Sequence, residues 1–174
     1  MPAEHSLTPK PAGRDLHNVD PKALSRMSMA ALDELFAELE PAELSAVQGQ
    51  KRGKLLALRG LDWLPGPARQ LLMGLVNRLP IWSGERFEGE FGTNAWVLPG
   101  SRIEFARYLV REREAIDGRG VVLHLDYDVA PNPKLVRDFI GELRELRPGV
   151  YLVRTRYRIA NERAPKISYF LLES

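Results

Sequence analysis

Apolar residues recur at helical spacing in the first half of the chain and at alternating spacing in the second. Met29, Leu32, Leu35, Phe36 and Leu39 fall three and four apart, which predicts a helix over Ser28–Glu40 with Ser28 as its cap. Pro41 opens a short helical turn to Val47. Leu71, Leu72, Leu75, Val76 and Leu79 predict a second helix, Gly66–Leu79, with Pro67 in its first turn. Lys54–Leu58 fits helix and strand equally well. From Ile81 onward the period changes to two. Strands are expected at Trp82–Phe91, Asn94–Leu98, Arg102–Glu112, Val121–Val129, Val150–Ile159 and Lys166–Leu172. Between the fourth and fifth of these, Leu135, Val136, Phe139, Ile140 and Leu143 return to helical spacing. That helix starts at Asn132-Pro133 and ends at Pro148-Gly149.

Several joints are only turn-length, as at Asp117-Gly118, which favours antiparallel neighbours. The pattern predicts an α+β fold. N-terminal helices pack on a curved antiparallel sheet or barrel, and one helix is inserted before the last two strands. Curvature or closure disposes of the open edges of such a sheet. Residues 1–26, interrupted by Pro2, Pro9, Pro11 and Pro21, read as a disordered tail that contains His5 and His17. Residues 27–174 read as a single domain.

Composition narrows the function classes. Hydrophobic (44%) and charged (28%) fractions are those of a globular domain. A net charge of +2 is too small for a nucleic-acid-binding block. The chain has no cysteine, so disulfides, thiolate nucleophiles, zinc–thiolate sites and iron–sulfur clusters are excluded. No secretory leader is visible, and no apolar run approaches the ~20 residues that span a bilayer. A cytoplasmic location is expected. Phosphate loops, nucleophile elbows and dinucleotide fingerprints are missing, so no cofactor is implied.

The run Ile81-Trp-Ser-Gly-Glu-Arg-Phe87 is followed by Gly92-Thr-Asn94, Leu125-Asp-Tyr-Asp128, Asn132-Pro133 and Pro148-Gly-Val-Tyr-Leu152. Together these segments resemble a group of uncharacterised bacterial proteins common in actinobacteria. The organisation of that group is similar to small lipocalin-like proteins carrying a Gly-x-Trp-x-Gly segment. The resemblance covers roughly residues 28 to 174. Gly49-Gln-Lys-Arg-Gly53 keeps the glycine spacing but has Lys51 where the tryptophan would stand. The resemblance implies a ligand-holding barrel and names no catalytic residue.

Three groups of residues carry candidate chemistry. On Val121–Val129, His124, Asp126 and Asp128 share one face and Leu123, Leu125 and Tyr127 the other. A carboxylate beside an imidazole suits general acid–base catalysis, with His124 as acid or base and Asp126 orienting it. The same residues could form cross-strand ion pairs with Arg154, Arg156 and Arg158, which share a face on Val150–Ile159. They do not suit a metal, because ligands two apart on a strand diverge. Tyr151 and Tyr157 point away from those arginines, so the strand is not a stacking platform for nucleic acid. Aromatic residues crowd the β part, and Trp82, Phe87 and Trp96 are expected to line a pocket.

The expectation is therefore a protein that binds a small apolar or amphipathic molecule in the concave side of a barrel-like sheet. Trp82, Phe87 and Trp96 line the site, and His124, Asp126, Asp128, Arg154 or Arg156 anchor a polar group. One alternative is a cofactor-independent isomerase, cyclase or hydratase using His124 and Asp126. Another is a membrane-surface or protein-interaction module using the basic-edged helix Gly66–Leu79.

Overall fold

In the computed structural model, which describes residues 20–79, 82–98, 101–159 and 164–174, the alternating segments close on themselves. The strands are β1 (Glu40–Pro41), β2 (Gly49–Leu58), β3 (Trp82–Glu88), β4 (Phe91–Leu98), β5 (Ser101–Glu114), β6 (Val121–Asp126), β7 (Phe139–Arg147), β8 (Val150–Tyr157) and β9 (Lys166–Glu173). β2 to β9 run as an antiparallel meander, and β9 returns to pair with β2. The result is a closed eight-stranded barrel. β1 lies outside the ring, with Glu40 and Pro41 opposite Glu145 and Arg144 of β7. The expected α+β class holds. Closure removes the unpaired edges that an open sheet of this size would expose.

Alternation sorts side chains into two cores. The inward core includes Phe87, Tyr108, Val110, Leu123, Leu143, Tyr151, Phe170 and Leu172. The outward core lies under helix α2 (Met29–Glu38), where Leu32, Leu35, Phe36 and Leu39 meet Leu56, Val122, Leu152, Tyr169 and Leu171. Ser28 caps α2 by accepting from the Ala31 N–H at 3.2 Å. Leu32, Leu35 and Phe36 of α2 and the C-cap Leu39 are buried, each worth about 1.5–3 kcal/mol. That burial holds the helix to the barrel.

Three segments differ from the sequence expectation. The tail expected through residue 26 gives way to helix α1 (Pro21–Leu24), whose Leu24 is fully buried. His5 and His17 lie outside the described residues. Lys54–Leu58, which fitted helix and strand alike, is the end of β2. The inserted helix is only α4 (Lys134–Arg137), and Phe139–Arg147 is strand β7, so three strands follow it. The segment has both periods because both of its faces are covered. Phe139, Gly141 and Leu143 face the interior, while Ile140, Glu142, Arg144 and Leu146 are buried on the outer side. A strand buried on both faces carries apolar residues on each, does not alternate, and its apolar positions also fit a helix.

Bulges shape the barrel. Ala106 is the extra residue between two β4–β5 pairs, Thr93 with Arg107 and Asn94 with Phe105. It takes φ 63°, a left-handed conformation uncommon outside glycine.

Candidate functional site

Inside one end of the barrel is a cavity of about 560 Å³, within the usual range for small-molecule sites. Its wall is mainly apolar, with Leu55, Trp82, Tyr127, Val136, Phe139 and Phe170. Helix α3 (Gly66–Val76) sits beside it, and Val76, Asn77 and Leu79 reach the lining. Pairing between β2 and β3 covers only Gly49–Arg52. Past that point Asn77 takes over. Its Oδ1 accepts from the Leu55 N–H and its Nδ2 donates to the Leu55 carbonyl, both at 2.8 Å.

Two glycines make room for the wall. A Cβ on Gly53 would lie 2.2 Å from the tip of the Trp82 ring. Gly84 sits at φ 128°, and a Cβ there would lie 2.0 Å from the Lys51 carbonyl oxygen. Gly53 thus seats Trp82 against β2, and Trp82 packs edge-on to Phe170 with centroids 5.0 Å apart.

The wall carries one carboxyl, Glu85, among the described residues. It is fully buried. Lys51, Glu85 and Asn94 occupy matched positions on β2, β3 and β4. Tyr108 Oη donates to Glu85 Oε2 at 3.0 Å, and the Tyr127 hydroxyl faces the same carboxyl. Among the described residues Glu85 Oε1 has no partner. Burial pushes the acid up to about 8, against the lowering effect of the two tyrosine hydroxyls. Tyr108 and Tyr127 are in turn raised well above the ordinary phenol value, first by burial and then by the facing carboxyl. Asn94 links this group to Trp82. The indole Nε1 donates to Asn94 Oδ1, and Asn94 Nδ2 donates to Tyr127 Oη, both at 3.0 Å.

The residues expected from sequence divide between the two faces. Trp82 lines the cavity. Phe87 is buried in the interior core, edge-on to Tyr108. Trp96 is opposite Trp82 in the β3–β4 register, and its side chain lies outside the described part. His124, Asp126, Arg154 and Arg156 are on the outer side of the barrel, away from the cavity. His124 is opposite Arg111 and Glu142 in neighbouring strands. Burial lowers its pKa, which Asp126 and Glu142 oppose and Arg113 and Arg158 reinforce. Its Nδ1 has no partner among the described residues. Asp126 Oδ1 accepts from the exposed Asp128 backbone N–H at 3.0 Å.

The two arginines form an ion-pair cluster beneath α2. Arg154 Nε and Arg156 Nε donate to Glu142 Oε2 at 2.8 and 2.6 Å. Arg154 Nη1 reaches Asp33 Oδ1 at 3.0 Å and Asp117 Oδ2 at 2.7 Å. Lys166 and Arg119 also pair with Asp33. Burial works to raise the pKa of Asp33, but hydrogen bonds from Lys166, Tyr169 and Arg154 reverse this and leave it far below the usual range. In Asp117 the Arg154 contact likewise overcomes burial and lowers the pKa to about 2. Arg154 is 1% exposed and stacks over Phe36 at 4.4 Å. The carboxylates expected to pair with it, Asp126 and Asp128, do not; β7 stands between β6 and β8 and brings Glu142 instead.

Sequence reasoning missed Glu85, Asn94 and Tyr127 as a group. Glu85 and Phe87 are two apart, so a charged residue shared a face with a core aromatic. The register shift between Trp82 and Gly84 hid that Trp82 joins them.

No family model matches the chain, and no curated protein does. The barrel is similar to a crystal structure of a protein from Thermomonospora curvata. The identity is 22% and the TM-score 0.57, over 84% of this chain and 87% of the other. At that identity the likeness concerns the fold. No helix among the described residues is long and apolar enough to cross a membrane.

Proposed function

We propose that the protein binds a small, largely apolar molecule inside the barrel, in the manner of a lipocalin-like carrier. The observation behind this reading is the cavity of about 560 Å³ walled by Leu55, Trp82, Phe139 and Phe170. Burial of an apolar body supplies affinity, and the few polar groups fix its orientation. The anchor is the Glu85–Asn94–Tyr127 group and not the outer arginines. A cofactor-independent isomerase rests on the same carboxyl, since Glu85 is the acid on the wall that exchanges a proton near neutral pH. Contact with a membrane surface rests on Leu71 and Leu75 of α3, which are 78% and 59% exposed.

Thr155 points into the cavity from β8, so Thr155→Trp fills it from the wall. The wild-type protein takes up the neutral dye Nile red with a blue-shifted emission, and the variant binds it at least about tenfold more weakly. Equal uptake by a folded Thr155→Trp protein places the dye elsewhere and removes the reading.

A further inference from the structure

We propose that the cavity selects an apolar amine, whose protonated nitrogen pairs with the free Oε1 of Glu85. This rests on the cavity-binding reading above and assigns it a ligand class.

The hydrogen-bond chain has a direction. An indole N–H can only donate, so Trp82 fixes Asn94 with Oδ1 toward itself and Nδ2 outward. Nδ2 then donates to Tyr127 Oη. That leaves the Tyr127 proton free to turn away from Asn94, on the side where the hydroxyl faces Glu85. Tyr108 brings a second hydroxyl to Oε2. The Tyr108 proton is aimed at the carboxyl and the Tyr127 hydroxyl faces it, an arrangement that favours its anionic form. The described groups around it supply no counter-charge. Lys51, its neighbour in the β2 register, is turned to Ser174, with Nζ to Oγ at 2.9 Å. No basic side chain is among the described lining residues. A cation bound at Oε1 supplies that counter-charge. The rings of Trp82, Tyr127, Phe139 and Phe170 around it are surfaces on which an ammonium group is favoured. A carboxylate ligand would meet Glu85 as a like charge, and a neutral ligand would leave the chain without its cation.

Burial pushes the acid up to about 8. It is therefore mostly neutral at pH 7, whereas an alkylamine is protonated. Pairing ionises Glu85, and its proton leaves to the buffer. Affinity for the amine then rises with pH from 6 toward 8, by up to roughly tenfold per unit.

The test is calorimetric titration with decylamine, decanol and decanoic acid at pH 6, 7 and 8. Titrations in buffers of different ionisation enthalpy count the protons released. Decylamine is expected to bind at least about tenfold tighter than either analogue, releasing up to one proton at pH 7. Glu85→Gln abolishes the preference, and Tyr127→Phe reduces it. Decanol or decanoic acid binding as tightly as decylamine overturns the proposal, as does pH-independent affinity or an unchanged preference in Glu85→Gln. If Glu85→Gln does not fold, Tyr127→Phe and the pH dependence decide. Nile red uptake without amine preference overturns the amine assignment alone. Silence of every probe overturns the cavity reading with it.

Discussion

Glu85 has the ordinary chemistry of a glutamate, and its surroundings determine what it does. Unfolded, it ionises near 4.5; folded, near 8. The folded state thus holds a proton that the unfolded state has released, and this difference opposes folding as pH rises from about 4.5 to 8. Below 4.5 both states are neutral and there is no penalty. Glu85→Gln keeps the shape and cannot ionise. It is expected to raise Tm over wild type by several degrees at pH 8 and to change it little at pH 4.5. Thermal unfolding of both proteins at the two pH values checks this, and a difference independent of pH would contradict the burial argument. The sequence offered only a weak hint of this residue, its place two positions from Phe87. His124 and Asp126 were far more conspicuous, because a histidine between carboxylates has a recognised chemistry. Which side of a sheet faces a cavity is not written in alternation, which says only that two faces differ.

Helix α2 and strand β8 are bound to each other through charge as much as through apolar contact. Arg154 lies between Asp33 of the helix, Glu142 of β7 and Asp117 of the β5–β6 turn. Removing it takes from the buried Glu142 and Asp33 one of their cations and leaves Arg156, Arg119 and Lys166 to hold them, so Arg154→Ala is expected to cost about 3 kcal/mol. Arg154→Lys recovers only part, because an ammonium cannot spread its donors over three acceptors as a guanidinium does. Urea unfolding measures both, and a loss below ~1 kcal/mol for Arg154→Ala would show that the cluster is solvated. α2 was legible from its period and its serine cap. β7 was not, because its outer face is buried under α2 and its inner face in the barrel, so a helical period fitted it. Once read as a helix, it left β6 and β8 adjacent, and the expected ion pairs went to the wrong carboxylates.

Across the molecule, stability is uneven in a way that suits a binding site at one barrel end. The far end is filled by Phe87, Tyr108, Val110, Leu143 and Tyr151 and braced by α2. At the cavity end, α3 buries only Arg69 and Met73 and leaves Leu71 and Leu75 exposed. Hydrogen exchange is expected to be slowest in β7, β8 and β9. It is expected to be faster in α3 by at least about two orders of magnitude, corresponding to an opening free energy lower by roughly 3 kcal/mol. A cavity ligand should slow α3 selectively. Uniform protection would show that α3 does not gate the site.

By itself the sequence determined the α+β class, the positions of α2, α3 and most strands, and the crowding of aromatics in the β part. Those are consequences of local period, caps and turn residues, which act over a few neighbours along the chain. Only the tertiary structure decided that the sheet closes, that β7 stands between β6 and β8, and that the arginine face lies under a helix. It also decided that Glu85 is the carboxyl inside. These depend on which strands meet across long loops, and on whether a face turns toward the axis of the barrel or away from it. Burial and unmet hydrogen bonding at the level of the whole chain set both.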